Sequence, residues 1–172
     1  MDIQKRRTTR DIKATVVVLV QLVNAAKLLG YVLVRNTLSY PRSQAFYKLP
    51  GGSQKEGESL TEAAYWECFE ESGIDLAPSL DTLQYRQYIP DGYYTKHLFV
   101  AQIDTRQAMG LYNPSANPGV LKPRGNQGEC GHILSPDAFL TQIVYGGILK
   151  SHLGMLEAAK IIEHIRTGTI VE

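Results

Sequence analysis

A chain of 172 residues, 44% hydrophobic and 20% charged, has the composition of an ordinary globular protein and the length for one sizeable core. Its formal net charge of +1 excludes the strong global field that would draw the whole molecule to nucleic acid or an anionic membrane. Its two cysteines, Cys68 and Cys130, lack zinc-site spacing and fit a reduced, cytoplasmic compartment.

Residues 1–13 read as a polar arm. Lys5, Arg6, Arg7 and Arg10 precede the apolar run 16–20, an order that superficially resembles a signal peptide. Asp2 and Asp11 interrupt the basic stretch, and the run is β-branched and continues into Gln21 and Asn24. A core strand over 15–23, buried on both faces, is the better reading, and the arm's charges read as a solvated tail. A turn at 24–27 leads to a second strand over 28–35, and a loop over 36–43 to a short strand over 45–49. Pro50, Gly51 and Gly52 signal a turn.

The next helix carries its own limits. Ser59 serves as N-cap with Glu62 three residues on, and Gly73 suits the left-handed position after the last turn, so the helix spans 60–72. Strands follow over 81–89 and 94–103, joined by a turn at Pro90, Asp91 and Gly92. Segment 110–128, with three prolines, four glycines and three asparagines, is long for a connection and reads either as a substrate loop or as a tolerated surface insertion. A strand over 129–134 precedes a helix capped by Ser135 that runs to about residue 145. A last helix over 149–166 turns Leu153, Leu156, Ile162 and Ile165 inward. Residues 14–172 form one domain, and no apolar run approaches the roughly 20 residues of a membrane span.

Glu67, Glu70 and Glu71 lie on one helical arc roughly 100° wide. Three like charges so close repel one another, so the arc calls for a positive partner. Glutamate oxygens suit a hard divalent ion such as Mg²⁺ or Mn²⁺.

Gly52, five residues, Glu58, seven residues, then Trp66, Glu67, Cys68, Phe69, Glu70, Glu71, Ser72, Gly73 and Ile74 resemble the Nudix box, G-x5-E-x7-R-E-U-x-E-E-x-G-U with U aliphatic. Seven fixed positions fit. Cys68 stands in for an aliphatic residue, and Trp66 replaces the arginine. The resemblance implies a Nudix-type α/β/α sandwich around a mixed sheet. It also implies a metal-dependent hydrolase cleaving the pyrophosphate bond of a nucleoside diphosphate linked to another group. Glu70 and Glu71 match the principal metal ligands, and Glu67 a further ligand or base. Glu58 matches an outer acidic position of the metal site, and the Gly52 carbonyl commonly completes it. Glu129 corresponds, by position only, to an extra catalytic glutamate, or else is a solvated loop carboxylate. In the family the arginine pairs with box carboxylates and orients them. Trp66 offers one N–H, so either other groups hold the site or the chain is a catalytically weak, nucleotide-sensing domain.

Arg35, Lys48, Lys122 and Arg124 are candidates for the substrate phosphates, or are surface charges. Tyr93, in a cluster with Tyr85, Tyr88 and Tyr94, is a candidate stacking partner for a base, although tyrosine also packs well in strands. His97 could meet phosphate or base, or be a satisfied strand histidine. Pro90 resembles a marker of the ADP-ribose-cleaving subgroup, which makes ADP-ribose or a nucleotide sugar the first expectation. Dinucleoside polyphosphates, nucleoside triphosphates and capped RNA ends remain open. The expected partner is a nucleotide-type small molecule, with no membrane. Family resemblance adds a homodimer.

Overall fold

The computed structural model describes residues 7–8, 10–36, 46–91, 94–108, 119–120 and 129–172, with backbone alone at 36, 87–89, 91, 119–120 and 129. Strand β1 (Asp11–Asn24) is its axis. It pairs in parallel with β5 (Tyr94–Ile103) along one side. On its other side β2 (Lys27–Asn36) takes residues 20–24, and β3 (Gly51–Lys55) takes residues 11–17, both antiparallel. With β4 (Gln84–Asp91), β6 (Gly119–Val120) and β7 (Glu129–Leu134), the described strands form one mixed sheet in the order β4-β5-β1-β2-β7-β6, β3 lying off this path on β1.

Both faces of β1 are covered, which is why its apolar run is nearly continuous. Val16, Val18, Val20 and Leu22 pack with Ala64 and Cys68 of helix α1 (Leu60–Ser72). Val17 and Leu19 pack with Phe139 of α2 (Pro136–Val144), Leu156 of α3 (Lys150–Ala158) and Ile165 of α4 (Ile162–Thr167). This is the expected α/β/α sandwich. Among the described residues no helix is long and apolar enough to cross a membrane.

The caps of α1 form as expected: Ser59 Oγ accepts the Glu62 N–H at 3.0 Å, and the Gly73 N–H donates to the Phe69 carbonyl at 2.9 Å with φ +79°. Three expectations need correction. Of the expected strand over 45–49, residues 46–49 are described and form none. Tyr47 and Lys48 make single bridges to Ile148 and Val34, and the strand proper begins inside the supposed turn, at Gly51. Residues 77–82 form a short 3-10 helix whose first N–H, of Ala77, is held by Asp75, so β4 starts only at Gln84. β4 then continues through Pro90, tolerated because β4 is an edge strand of the sheet.

The third correction is the last helix, which is two. Lys160 adopts φ +59°, its N–H donates to Glu157 O at 3.0 Å and that of Ile161 to Leu156 O at 2.9 Å. This is a Schellman ending built without glycine, so nothing in the composition marks it. Ile161, beyond the break, is buried instead of the expected Ile162. A Lys160→Gly variant is expected to gain about 1 kcal/mol by relieving the left-handed penalty. Urea unfolding checks it, and an unchanged or lowered midpoint would count against the Schellman geometry.

Candidate active site

The start of β3 runs against β1 so closely that side chains are excluded. A Cβ on Gly51 would collide with the Val16 carbonyl, and one on Gly52 would fall inside the Glu67 carboxylate. The glycines therefore let α1 press its acidic face onto the strand. Glu67 and Glu71, one turn apart, are buried, whereas the Glu70 side chain is 49% exposed. Glu71 Oε1 accepts the Gly51 N–H at 2.7 Å, and Glu71 Oε2 pairs with Lys48 Nζ at 2.7 Å.

The other carboxylates converge on Arg7. Arg7 Nε meets Glu58 Oε2 at 2.7 Å, and Nη2 meets Glu58 Oε1 at 3.1 Å and Glu67 Oε1 at 2.9 Å. Nη1 meets Glu70 Oε2 at 2.9 Å. Glu58 Oε1 also accepts the Lys55 N–H at 2.7 Å, so both Glu58 oxygens are engaged and the residue supports the guanidinium. Burial works against the Arg7 charge. The carboxylates of Glu58, Glu67 and Glu70 outweigh it and hold its pKa above the ordinary arginine value. Burial raises the Glu67 carboxyl above its usual range; Arg7 opposes the shift and Glu70 adds to it. A carboxylate so tuned is a better proton acceptor.

Among the described residues, four carboxylates thus face two cations in direct pairs, an excess of two negative charges. An all-oxygen donor set with that residual charge fits a hard divalent ion. Among the described residues no three acidic, histidine or cysteine side chains yet converge on one ion position. The carboxylates are drawn to Arg7 and Lys48. Glu67 Oε2 and Glu70 Oε1 take no hydrogen bond from the described residues, and Glu67 Oε2 faces the Gly52 backbone.

Several other expected residues lie apart from this cluster. Arg35 sits over the Tyr47 ring at 5.1 Å, whose edge meets His132. His97 is hydrogen-bonded on both sides, to Tyr85 Oη and Thr95 Oγ1, each at 2.8 Å, the arrangement of a satisfied strand histidine. The Glu129 backbone opposes Asn36 at the start of β7. Tyr93, Lys122, Arg124 and most of segment 110–128 lie outside the described residues. Trp66 packs edge-on to Tyr65 at 5.2 Å against the α1-side core. His152, not anticipated, accepts the Leu49 N–H on Nδ1 at 3.0 Å. Burial, with Lys48 and Lys96, pushes it down to about 4, so it is neutral.

Arg7 corrects the sequence reading most. Arg7 is not a solvated tail charge: its side chain is 9% exposed, whereas Thr8 and residues 10–13 are exposed as expected. No local pattern marks it, but the missing arginine at Trp66 was a signal that a cation must come from elsewhere.

The family model of the NUDIX domain matches residues 13–129. A comparison with curated proteins found no match. Among solved structures, a MutT/nudix family protein from Enterococcus faecalis is similar at 20% identity and TM-score 0.44, covering 58% of this chain and 40% of that one. The present chain therefore spans less than half of that relative's length. A mutT/nudix family protein from Listeria innocua is similar at 20% identity and TM-score 0.42, over 60% of this chain and 74% of that one. A MutT structure from a study of the Aliivibrio salmonicida and Vibrio cholerae proteins shows 16% identity and TM-score 0.49, over 74% and 83%. The domain match, which takes in the box and the sheet around it, carries the assignment rather than these partial overlaps: the chain belongs to the Nudix family.

Proposed function

We propose that this chain hydrolyses the pyrophosphate bond of a nucleoside diphosphate linked to another group, with Mg²⁺ or Mn²⁺ held by Glu67, Glu70, Glu71 and the Gly52 carbonyl. The observation that carries the reading is the carboxylate cluster of Glu58, Glu67, Glu70 and Glu71, which among the described residues is paired directly with Arg7 and Lys48 alone. When bound, such an ion neutralises diphosphate charge and acidifies a water. Glu67, which lies against the Gly52 backbone, would be the carboxylate to accept the proton of that water. Lys48 steadies Glu71 and lies near enough to the cluster to meet a phosphate oxygen. Arg35, stacked on Tyr47, offers a second phosphate or base contact, and Tyr93, Lys122, Arg124 and Glu129 are assigned to the substrate side on sequence grounds. ADP-ribose or a nucleotide sugar is the first substrate to try, ahead of dinucleoside polyphosphates, nucleoside triphosphates and capped RNA ends. Buried free Cys68, its thiol pushed up to about 12 by burial, and buried Cys130 suit a reducing cytoplasm.

The test is product release from that panel with and without Mg²⁺ or Mn²⁺. Release that depends on the metal is expected. No release from any member, alongside tight nucleotide binding, would instead favour the sensing domain that Trp66 allows.

A further inference from the structure

Trp66 leaves the box without a guanidinium, yet a guanidinium stands among its carboxylates. It arrives from 51 residues upstream of Glu58, outside the 13–129 segment that the family model matches. Its delivery is ordered. The Glu56 N–H donates to the Arg10 carbonyl at 2.7 Å, Thr8 Oγ1 to the Glu56 carbonyl at 3.3 Å, and Asp11 pairs with Lys55 both in the ladder and through its side chain. Thr8, Arg10 and Asp11 thus extend the β1–β3 pairing along the loop that carries Glu58. Arg7 Nη2 closes the arrangement on the Ser53 carbonyl at 3.2 Å.

The pattern of contacts says what the guanidinium does. It grips both oxygens of Glu58 in a fork, the geometry that lysine cannot reproduce. From Glu67 and Glu70 it takes one oxygen each, Oε1 and Oε2. The opposite oxygens stay open among the described residues, and Glu71 is left to Lys48. A cation that simply filled the ion position would consume the oxygens facing it. Arg7 instead fixes the rotamers of Glu67 and Glu70 and cancels one unit of their repulsion.

We propose that Arg7 is a positioning residue of the catalytic centre: the arm supplies the guanidinium that Trp66 does not, and holds Glu67 and Glu70 so that each presents one oxygen to a divalent ion. The inference rests on the metal-dependent reading above, and its test separates the two. The Arg side-chain Nε–H region of the ¹H–¹⁵N spectrum of the full chain is recorded metal-free and with saturating MgCl₂, the Arg7 signal being identified by its loss in Arg7→Lys. A protected Arg7 signal is expected in both conditions. Its absence from the metal-free protein, or its loss on adding Mg²⁺, would overturn the proposal, the second because the ion would then be expelling Arg7. Arg7→Ala is expected to lower the metal-free Tm by about 2–4 °C or more, with Arg7→Lys recovering only part of it. A Tm equal to wild type overturns the clamp. For any substrate cleaved, Arg7→Ala should lower kcat about tenfold or more at saturating Mg²⁺ with KM little changed, and a rise in kcat would overturn positioning. If Mg²⁺ moves no wild-type signal while the protected Arg7 signal and the Tm loss are both seen, the clamp is supported and the metal reading fails.

Discussion

Glu70→Gln and Glu71→Gln are each expected to cut metal-dependent turnover about 10²- to 10³-fold, the ~3–4 kcal/mol that one lost electrostatic contact at a reacting centre, here a charged ligand of the ion, typically represents. They should part company in stability. Glu70 is half exposed and, among the described residues, bound only at Oε2, by Arg7, so Gln at 70 retains a carbonyl for that contact and leaves Tm nearly unchanged. Glu71 is buried between the Gly51 N–H and Lys48 Nζ. Gln at 71 can keep the first contact but leaves Lys48 facing a neutral amide in a partly buried place, at a cost of about 1–3 kcal/mol. Turnover on the substrate panel, with thermal unfolding of the metal-free proteins, checks both halves. Unchanged turnover in both variants would remove the box carboxylates from the chemistry, whatever the Tm values. Equal Tm losses would contradict the different burial of the two side chains.

What was legible in the sequence had a local cause. Ser59, Glu62 and Gly73 satisfy or end the backbone of α1 within a few residues, so its limits could be read directly. The β-branched run of β1 could be read as doubly covered because only burial on both faces removes the alternation. The box spacing named the carboxylates for the same reason, since one helix carries three of them. What was not legible depended on partners distant in sequence. Gly51 and Gly52 look like a turn until Val16 and Glu67 are known to lie against them, when they become the only residues that a strand there can use. Lys160 breaks a helix with a residue that ordinarily extends one, because the chain beyond it gains more by burying Ile161 and Ile165. Arg7 is the extreme case. Among five basic residues of the arm, nothing local distinguishes it from Lys5, Arg6, Arg10 or Lys13. Its role follows from the pairing of Asp11, Arg10 and Thr8 with Lys55 and Glu56 beside the Glu58 loop, a register that no periodicity encodes.

Alanine at the two glycines separates folding from chemistry. At Gly51 the new methyl would meet backbone, the Val16 carbonyl, together with Val17. Neither can rotate away, so β3 must leave β1 and take with it the Gly51 N–H that holds Glu71. Gly51→Ala is expected to lose about 3 kcal/mol or more, with activity falling only as folded protein is lost. At Gly52 the methyl would meet the Glu67 carboxylate, the far end of a flexible side chain. Glu67 can swing out, so the stability cost is smaller, about 1–2 kcal/mol. The displaced carboxylate, however, gives up Arg7 Nη2 and its place against Gly52. A misplacement of that size near the reacting centre costs on the order of 10²-fold in rate, so Gly52→Ala should stay folded and turn over poorly. Urea midpoints set against kcat for the two variants make the comparison. A Gly52→Ala protein with wild-type turnover would show that Glu67 does its work from some other position than the one against the strand, and would leave Glu70 and Glu71 to carry the chemistry without it.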